Sequence, residues 1–268
     1  MSGPAEKDRF KKLMFEDGNR VRFERAIDDD ARNWWIERFY DPFGLTPEGM
    51  GDLLTKSVSN EKSITYRYID GGGQAFAVRI QGRFQESGDI WFAERSLELE
   101  GGFFNADEMF IPIGDAKQGR GRLLMKDLIE AARSINVERI KIQAQKIGRY
   151  AWLRIGFVPD GGSWRGIQAE AARLIQAHAG RLGAARANDL IAQVLSGKPA
   201  TAIFLAGLND PVSSRQLFDR QGMPVLVPLG KALFLEGGTD WTGELNLNDP
   251  GAMEIANDYI RSIGGDDG

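Results

Sequence analysis

The sequence contains no cysteine and a single histidine, His178. Without cysteine the chain has no disulfide, no thiol nucleophile and no thiolate ligand for a metal ion. A single histidine also excludes a metal site built from several histidines of one chain. Acidic, basic, amide and hydroxyl side chains, together with backbone groups, must therefore carry any chemistry, and the sequence predicts no metal cofactor.

Long apolar segments and a strong positive charge are missing as well. No apolar run approaches the roughly 18 residues that a membrane-spanning helix needs. The charged N-terminus, MSGPAEKDRFKK, lacks the apolar core of a secretion signal. The formal net charge of −4 argues against general nucleic-acid binding. We therefore expect a cytoplasmic location and no membrane association.

The rest of the composition is typical of a folded domain. The 268 residues are 42% hydrophobic and 27% charged, which suits one large domain or a domain with an insertion. Between residues 64 and 99, apolar and polar residues alternate in three segments, as in half-buried strands. Helical patterns precede and follow these segments. The order predicts an α+β fold with a mixed, mostly antiparallel sheet and helices on both faces.

The most informative segment is residues 109–157. An apolar, strand-like run covers residues 109–113, and a loop follows that contains QGRGR at residues 118–122. Apolar residues then recur with helical spacing as far as Ile135, and residues 140–144 alternate as in a strand. The segment therefore predicts the order strand, glycine-rich basic loop, helix and strand.

This order of elements suits the binding of a phosphate or pyrophosphate. Glycine lets the backbone approach a ligand because it has no Cβ, and the first turn of a helix carries a partial positive charge. Arginine adds charge-assisted hydrogen bonds. The same letters also fit a tight turn without any ligand. The residues predicted to bind the anion are Gln118, Gly119, Arg120, Gly121 and Arg122.

The segment resembles the acyl-CoA signature of the GNAT superfamily of N-acetyltransferases. That signature is a strand, then Gln/Arg-x-x-Gly-x-Gly/Ala, then a helix, a further strand and a short helix that ends in Gly-Phe. Gly119 and Gly121 stand at the glycine positions, and Gly156-Phe157 match the ending, whereas Ala116 replaces the usual Gln or Arg. The resemblance implies a GNAT-like core over residues 1–164, with acetyl-CoA or another acyl-CoA as co-substrate.

The resemblance also implies a role for the strand before the loop. In the family, backbone amides of this strand hold the pantetheine and the acyl carbonyl. In this chain that role falls on Phe110, Ile111 and Ile113. Pro112 has no N–H and must stand where no donor is required.

Catalysis in such a family needs a base for the amine and an acid for the leaving thiolate. Glu108, at the start of the strand, is the predicted base, and Asp107 beside it is a further candidate. Both also fit solvated charges at a strand end. The acid is commonly a Tyr four residues before the Gly of Gly-Phe. Trp152 stands at that position here, so Tyr150 is the predicted acid.

The chain continues beyond this core. Residues 165–228 are interpreted as a mostly helical insertion, and residues 229–268 as returning strands with a C-terminal helix. Within these parts, Asp-Pro at residues 210–211 predicts a helix start, and KALFLE after Pro228 is interpreted as a strand. His178 lies on an apolar helical stripe, which favours a packed, hydrogen-bonded core residue over a catalytic base.

Three functions from different classes fit the sequence. The first is an acyl-CoA-dependent N-acyltransferase that moves an acetyl group to an amine of a small molecule or a protein. The second is a catalytically inactive GNAT-fold structural or assembly protein, because YAWLRIGF is similar to GNAT-like segments of phage and polymorphic-toxin proteins. Such a protein could be virion-associated. The third is an unrelated α+β protein whose loop binds another phosphate ligand. A homo-oligomer or a larger assembly is left open.

Overall fold

The computed structural model describes residues 13–18, 20–58, 61–116, 118–219 and 221–261. Over these residues the chain is an α+β protein with a mixed, mostly antiparallel sheet and flanking helices. No helix in the described ranges is long and apolar enough to cross a membrane. The described residues form two compact units, one up to residue 140 and the other over residues 141–261. The predicted division at residues 165 and 229 stays a prediction.

The sheet of the first unit follows the chain order. Its described strands are β1 (Val21–Phe23), β2 (Lys62–Asp70), β3 (Ala75–Arg83), β4 (Ile90–Glu98) and β5 (Phe103–Phe110). β1 pairs with β2 in parallel, and β2 to β5 pair with one another antiparallel. The three alternating segments of the sequence are β2, β3 and β4, which confirms that prediction.

Two helices of the first unit begin after residues whose side chains cap them, Asp28 and Thr46. In the described part the helices of this unit are α1 (Asp29–Trp35), a π-helical segment (Ile36–Tyr40), α2 (Asp41–Phe43), α3 (Pro47–Leu53), α4 (Ile113–Ala116) and α5 (Arg120–Ser134). The side chain of Asp28 accepts a hydrogen bond from the N–H of Ala31 at 2.8 Å, and that of Thr46 accepts one from Gly49 at 3.0 Å. These contacts satisfy N–H groups that the helices leave without a partner.

An aromatic core fixes the sheet of the first unit. Trp35 and Phe39, from the helical segments, pack against Phe76 of β3 with ring centroids 5.3 and 5.9 Å apart. Tyr66 of β2 joins them, and its hydroxyl donates to the carbonyl of Pro47 at 2.8 Å. All four side chains are at most 1% exposed. Burial of several aromatic rings makes this face of the sheet rigid, and β5 extends from it.

The second unit contains most of the remaining elements. The chain enters it in β6 (Arg139–Ala144), and its described helices and strands are α6 (Gly148–Arg154), β7 (Val158–Pro159), α7 (Gly161–Ala177), α8 (Ala179–Leu182), α9 (Ala184–Ser196), α10 (Thr201–Ala206), β8 (Pro211–Phe218), β9 (Pro224–Pro228), α11 (Leu229–Glu236), β10 (Trp241–Asn246) and α12 (Pro250–Arg261). β10 pairs with β7, and β8 pairs with β9 in a separate two-stranded sheet of the described residues.

Two predictions for this unit are wrong. Asp210-Pro211 starts strand β8, because Val212 and Ser214 alternate into the interior at 0% and 3% exposure. KALFLE belongs to helix α11, in which Leu229, Ala232 and Leu233 are buried at helical spacing. A run of six residues is too short to separate these two periods in the sequence.

Candidate functional site

The strand before the glycine-rich segment ends earlier than predicted. β5 stops at Phe110, Ile111 and Pro112 follow it without regular structure, and Ile113 begins the single turn of α4. Pro112 has no N–H for a strand ladder, and its ring restricts the residue before it. The predicted strand over residues 109–113 is therefore wrong beyond Phe110. Of the three predicted backbone donors, only Phe110 belongs to the strand.

The glycine-rich segment leads directly into a helix. Gly119 has a φ of 75°, the left-handed conformation that favours glycine, and Arg120 is the first residue of α5. Gly121 lies in the first turn of α5, where an added Cβ would stand 3.3 Å from Cδ1 of Ile111 and 3.7 Å from Cε of Met109. The first turn of α5 therefore packs against the end of β5 and the residue beyond it.

Arg120 is paired within the protein. Its Nη2 lies 3.0 Å from Oε2 of Glu86 and donates to Oε1 of Gln118 at 3.4 Å. The guanidinium also lies over the ring of Phe84, 5.4 Å from the centroid. The pKa of Glu86 is lowered, first by a backbone N–H and then by Arg120. A ligand phosphate at Arg120 would therefore have to compete with Glu86.

A second contact is made at α4, which precedes the two glycines. Glu86 and Ser87 belong to the β3–β4 turn, residues 84–89. The hydroxyl of Ser87 donates to Oδ2 of Asp115 in α4 at 2.9 Å. Asp115 is 1% exposed, and its Oδ1 has no partner among the described residues. The β3–β4 turn therefore contacts the chain before the two glycines, at Asp115, and between them, at Arg120. Gln118 is exposed and Arg122 is half-buried.

Glu108, the predicted base, is exposed and stands opposite Glu94 in the neighbouring strand. Glu94 is 8% exposed, and its carboxylate accepts hydrogen bonds from Arg67 at 2.6 Å and Arg79 at 3.0 Å. Two carboxylates directly opposite each other would repel. The two guanidinium groups compensate the charge of Glu94, which weakens its repulsion of Glu108.

The ring of Phe110, at the end of β5, packs against a ring of the neighbouring strand β4. Its ring stacks on that of Phe92 with centroids 5.6 Å apart and an interplanar angle of 18°. The guanidinium of Arg79 lies 4.0 Å from the centroid of Phe92. Phe110 is 50% exposed. The strand residue with a predicted backbone role thus presents half of its ring to solvent.

Asp107, the further base candidate, lies next to an irregularity of the sheet. Ala106 and Asp107 together stand opposite Arg95, which is the arrangement of a β-bulge. Part of the surface of Asp107 is open to solvent, whereas desolvation of its carboxyl raises its pKa. A hydrogen bond from Ser96 and the charge of Arg95 oppose that rise. A carboxyl with a raised pKa accepts a proton more readily, which suits a general base.

Arg95 is a polar residue that the sequence prediction missed. It is 1% exposed, and its Nη1 donates to the carbonyls of Glu94 at 2.8 Å and Glu108 at 3.1 Å. Nε and Nη2 have no partner in the described part of the chain. Burial lowers the pKa of Arg95 to about 10, and Asp107 opposes this. The signal was present, because Arg95 stands where the alternation of Ala93 and Leu97 requires an apolar residue.

Tyr150, the predicted acid, lies in α6 of the second unit and is half-buried. Its hydroxyl oxygen accepts a hydrogen bond from Nη1 of Arg154 at 2.9 Å. That bond uses a lone pair of the oxygen, so the hydroxyl proton stays available for donation. Trp152, at the position where the family has a Tyr, packs edge-on against Phe157 with ring centroids 5.3 Å apart.

The Gly-Phe ending closes α6 through backbone geometry. Gly156 has a φ of 99°, and its N–H donates to the carbonyl of Leu153 at 3.0 Å. The N–H of Phe157 donates to the carbonyl of Trp152 at 3.1 Å. These two bonds and the contact between the Trp152 and Phe157 rings define a Schellman motif. This part of the signature therefore has a structural role in the helix end.

His178 lies in the second unit and is buried, as predicted, with 8% exposure. Its Nε2 has no partner within the described ranges, so the predicted hydrogen bond is not made by that atom. Burial lowers the pKa of His178, and the charge of Glu236 opposes this. Oε1 of Glu236 accepts hydrogen bonds from the hydroxyl of Ser214 at 2.7 Å and the N–H of Arg215 at 2.8 Å. Glu236 thus anchors β8.

The structure and the comparisons with known proteins assign neither a metal site nor a protein family. Among the residues that the structure describes, no group of three or more His, Cys, Asp or Glu side chains could hold a metal ion. Comparison with known proteins gives no match to a family model, a curated protein or a solved structure.

Proposed function

We propose that this chain is an acyl-CoA-dependent N-acyltransferase that binds its acyl-CoA at the first turn of α5. The contact of Gly121 with the end of β5 carries the proposal. The first turn of a helix has N–H groups without intrahelical acceptors, and the glycines at 119 and 121 place no Cβ beside them. Such a set of N–H donors at the end of a strand suits the pyrophosphate of CoA and the pantetheine attached to it.

The chemistry is the transfer of an acyl group from sulfur to nitrogen. The amine nitrogen attacks the thioester carbonyl carbon, the C–N bond forms, and the C–S bond breaks with release of CoA thiolate. In this proposal Glu108 takes the proton of the amine, with Asp107 as the neighbouring carboxyl. Backbone N–H groups of Phe110, Ile111 and Ile113 stabilise the negative charge on the carbonyl oxygen.

The thiolate takes a proton from the general acid; solvent then restores the proton of the acid and removes the one held by the base. The resemblance assigns the role of general acid to Tyr150, and its hydrogen bond from Arg154 leaves the hydroxyl proton available. The acceptor is an amine of a small molecule or a protein. The acceptor pocket varies independently of the fold, so the acceptor class stays open.

Thermal unfolding in the presence of acetyl-CoA tests the binding site. At a ligand concentration of about 100 times Kd, binding stabilises the native state by about 2.7 kcal/mol. That corresponds to a rise in Tm of roughly 5–10 °C. Gly121→Trp should abolish the shift, because the indole would have to displace Ile111 and Met109 and would disturb the first turn of α5. The matched control is Gly180→Trp, since Gly180 is exposed with no atom within 4 Å of an added Cβ.

Competition among CoA, ATP and NAD completes this experiment. Protection by CoA alone supports the acyltransferase. Protection by ATP or NAD without CoA would show an unrelated protein whose loop binds another phosphate ligand. Absence of any shift at millimolar acetyl-CoA contradicts the proposal.

A different observation favours a second function, that of a catalytically inactive GNAT-fold assembly component, phage- or toxin-associated. The β8–β9 hairpin carries large apolar side chains that are 45–62% exposed: Leu217, Phe218, Met223 and Leu226. Clustered exposed apolar residues mark contact surfaces. Sedimentation velocity distinguishes the two functions. An assembly that Phe218→Glu disrupts, in a protein that acetyl-CoA does not stabilise, would favour the assembly component over the enzyme.

A further inference from the structure

The β3–β4 turn holds a carboxylate at the first residue of α5. Oε2 of Glu86 lies 3.0 Å from Nη2 of Arg120. A negative charge near the N-terminus of a helix is favourable, and it neutralises the arginine as well. These are the two interactions that the proposed function assigns to a phosphate of the ligand. Glu86 therefore makes, within the protein, the contacts of an anionic ligand.

The two partners differ in their freedom to move. The side chain of Arg120 is 19% exposed, and its guanidinium lies over the ring of Phe84. The side chain of Glu86 is 62% exposed. The turn beneath it is fixed by the bond from Ser87 to Asp115 and by the bond from the N–H of Gly88 to the carbonyl of Phe84 at 2.8 Å. Glu86 can therefore rotate away while Arg120 and the turn stay in place.

We propose that Glu86 is a built-in competitor for the phosphate group at Arg120, so that ligand binding exchanges this carboxylate for a phosphate oxygen. The proposal rests on the proposed function, because it concerns regulation of the same site. An ion pair with an exposed partner is weak, so the exchange lowers affinity without preventing binding. Anions with several charged oxygens replace both the charge and the hydrogen bond of Glu86, and they should compete best.

Calorimetric titration of Glu86→Gln with CoA and with inorganic pyrophosphate tests this exchange. Removal of the competing charge should tighten binding of each about two- to fivefold, as expected for the loss of an exposed ion pair. Asp89→Asn is the matched control. It removes the same charge from the same turn, and Asp89 bonds there through its backbone at Phe84 and Ser87. Its affinity should equal that of the unchanged protein.

A third variant shows whether the effect passes through Arg120. In an Arg120→Gln background, Glu86→Gln should change neither the affinity for CoA nor that for pyrophosphate. The ion pair between residues 86 and 120 is already absent there. An equal gain in both backgrounds, or an equal gain in Asp89→Asn, would reduce the effect to general repulsion and overturn the proposal. Unchanged or weaker binding by Glu86→Gln would overturn it too.

The two ligands separate this proposal from the function on which it rests. If pyrophosphate binding tightens in Glu86→Gln while CoA binds neither protein, the competitor is real and the acyl-CoA function fails. If CoA binds the unchanged protein and Glu86→Gln gives no gain, the function stands and the competitor fails. If neither ligand binds either protein, both proposals fail.

Discussion

The β3–β4 and β8–β9 hairpins are both antiparallel, but they are stabilised by different means. β3 and β4 lie between β2 and β5, and their inward residues Ile80 and Trp91 are 0% exposed. β8 and β9 pair with each other alone within the described residues, and Leu226 is 52% exposed. A two-stranded sheet in water is marginal without further support. Here the described support includes hydrogen bonds from β8 to Glu236.

This difference in structural support predicts a different role for each hairpin. A turn that rests on a buried core can place Glu86 and Ser87 reproducibly, because the strands beside it do not open separately from the core. A hairpin with exposed strands opens locally at lower cost, and its apolar side chains are available to a partner. Substitutions in the two hairpins should therefore act on different measurements.

The largest expected effect is in the first hairpin. Trp91→Ala removes a fully buried indole and should lower the free energy of unfolding by about 3–5 kcal/mol. Leu226→Ala in β9 should change it by at most about 0.5 kcal/mol, because the side chain is half-exposed. Urea unfolding monitored by circular dichroism measures both. Equal losses in the two variants would contradict the difference between the hairpins.

A smaller, local effect is expected at the anchor of the second hairpin. Glu236→Ala leaves the hydroxyl of Ser214 and the N–H of Arg215 without their acceptor, at a cost of about 1–3 kcal/mol. Hydrogen exchange of residues 211–228 should accelerate, and that of residues 75–98 should not. Glu254→Ala, an exposed position on α12, is the control. Unchanged exchange of the hairpin in Glu236→Ala would remove Glu236 as its anchor.

The smallest effect is the pH dependence of the same region. The pKa of His178 is lowered by burial, with Arg215 acting in the same direction and Glu236 against it. The unfolded chain then binds a proton at higher pH than the native one, since the ordinary pKa is 6.5. The stability contributed by neutral His178 is present above pH 6.5 and is lost progressively below it. His178→Gln should show a smaller fall in urea midpoint between pH 8 and pH 5.5 than the unchanged protein.

Local patterns predict much of the first unit and less of the second. Alternation identifies β2 to β4, and helical spacing up to Ile135 identifies α5, because these signals act within a few residues. Asp210-Pro211 fails, since the same pair also fits the start of a strand, and only the burial of Val212 and Ser214 distinguishes the two. Tertiary contacts that decide such cases do not appear in a window of the sequence.

The candidate site shows the same limit. The glycines at 119 and 121 are visible in the sequence, whereas the partner of Arg120 lies 34 residues earlier, in a turn that only the fold brings near. Pro112 could have indicated that the strand ends at Phe110, because proline interrupts a ladder. The bulge opposite Arg95 depends on the register of two strands, which no residue type specifies by itself.

The closure of α6 by Gly156 and Phe157 limits what a shared Gly-Phe says about the common ancestry of two proteins. A glycine in the left-handed conformation followed by an apolar residue is the commonest solution to a mechanical problem that every helix end poses. Unrelated chains arrive at the same two letters by convergence. Gly156-Phe157 therefore carries little information about the ancestry of this chain.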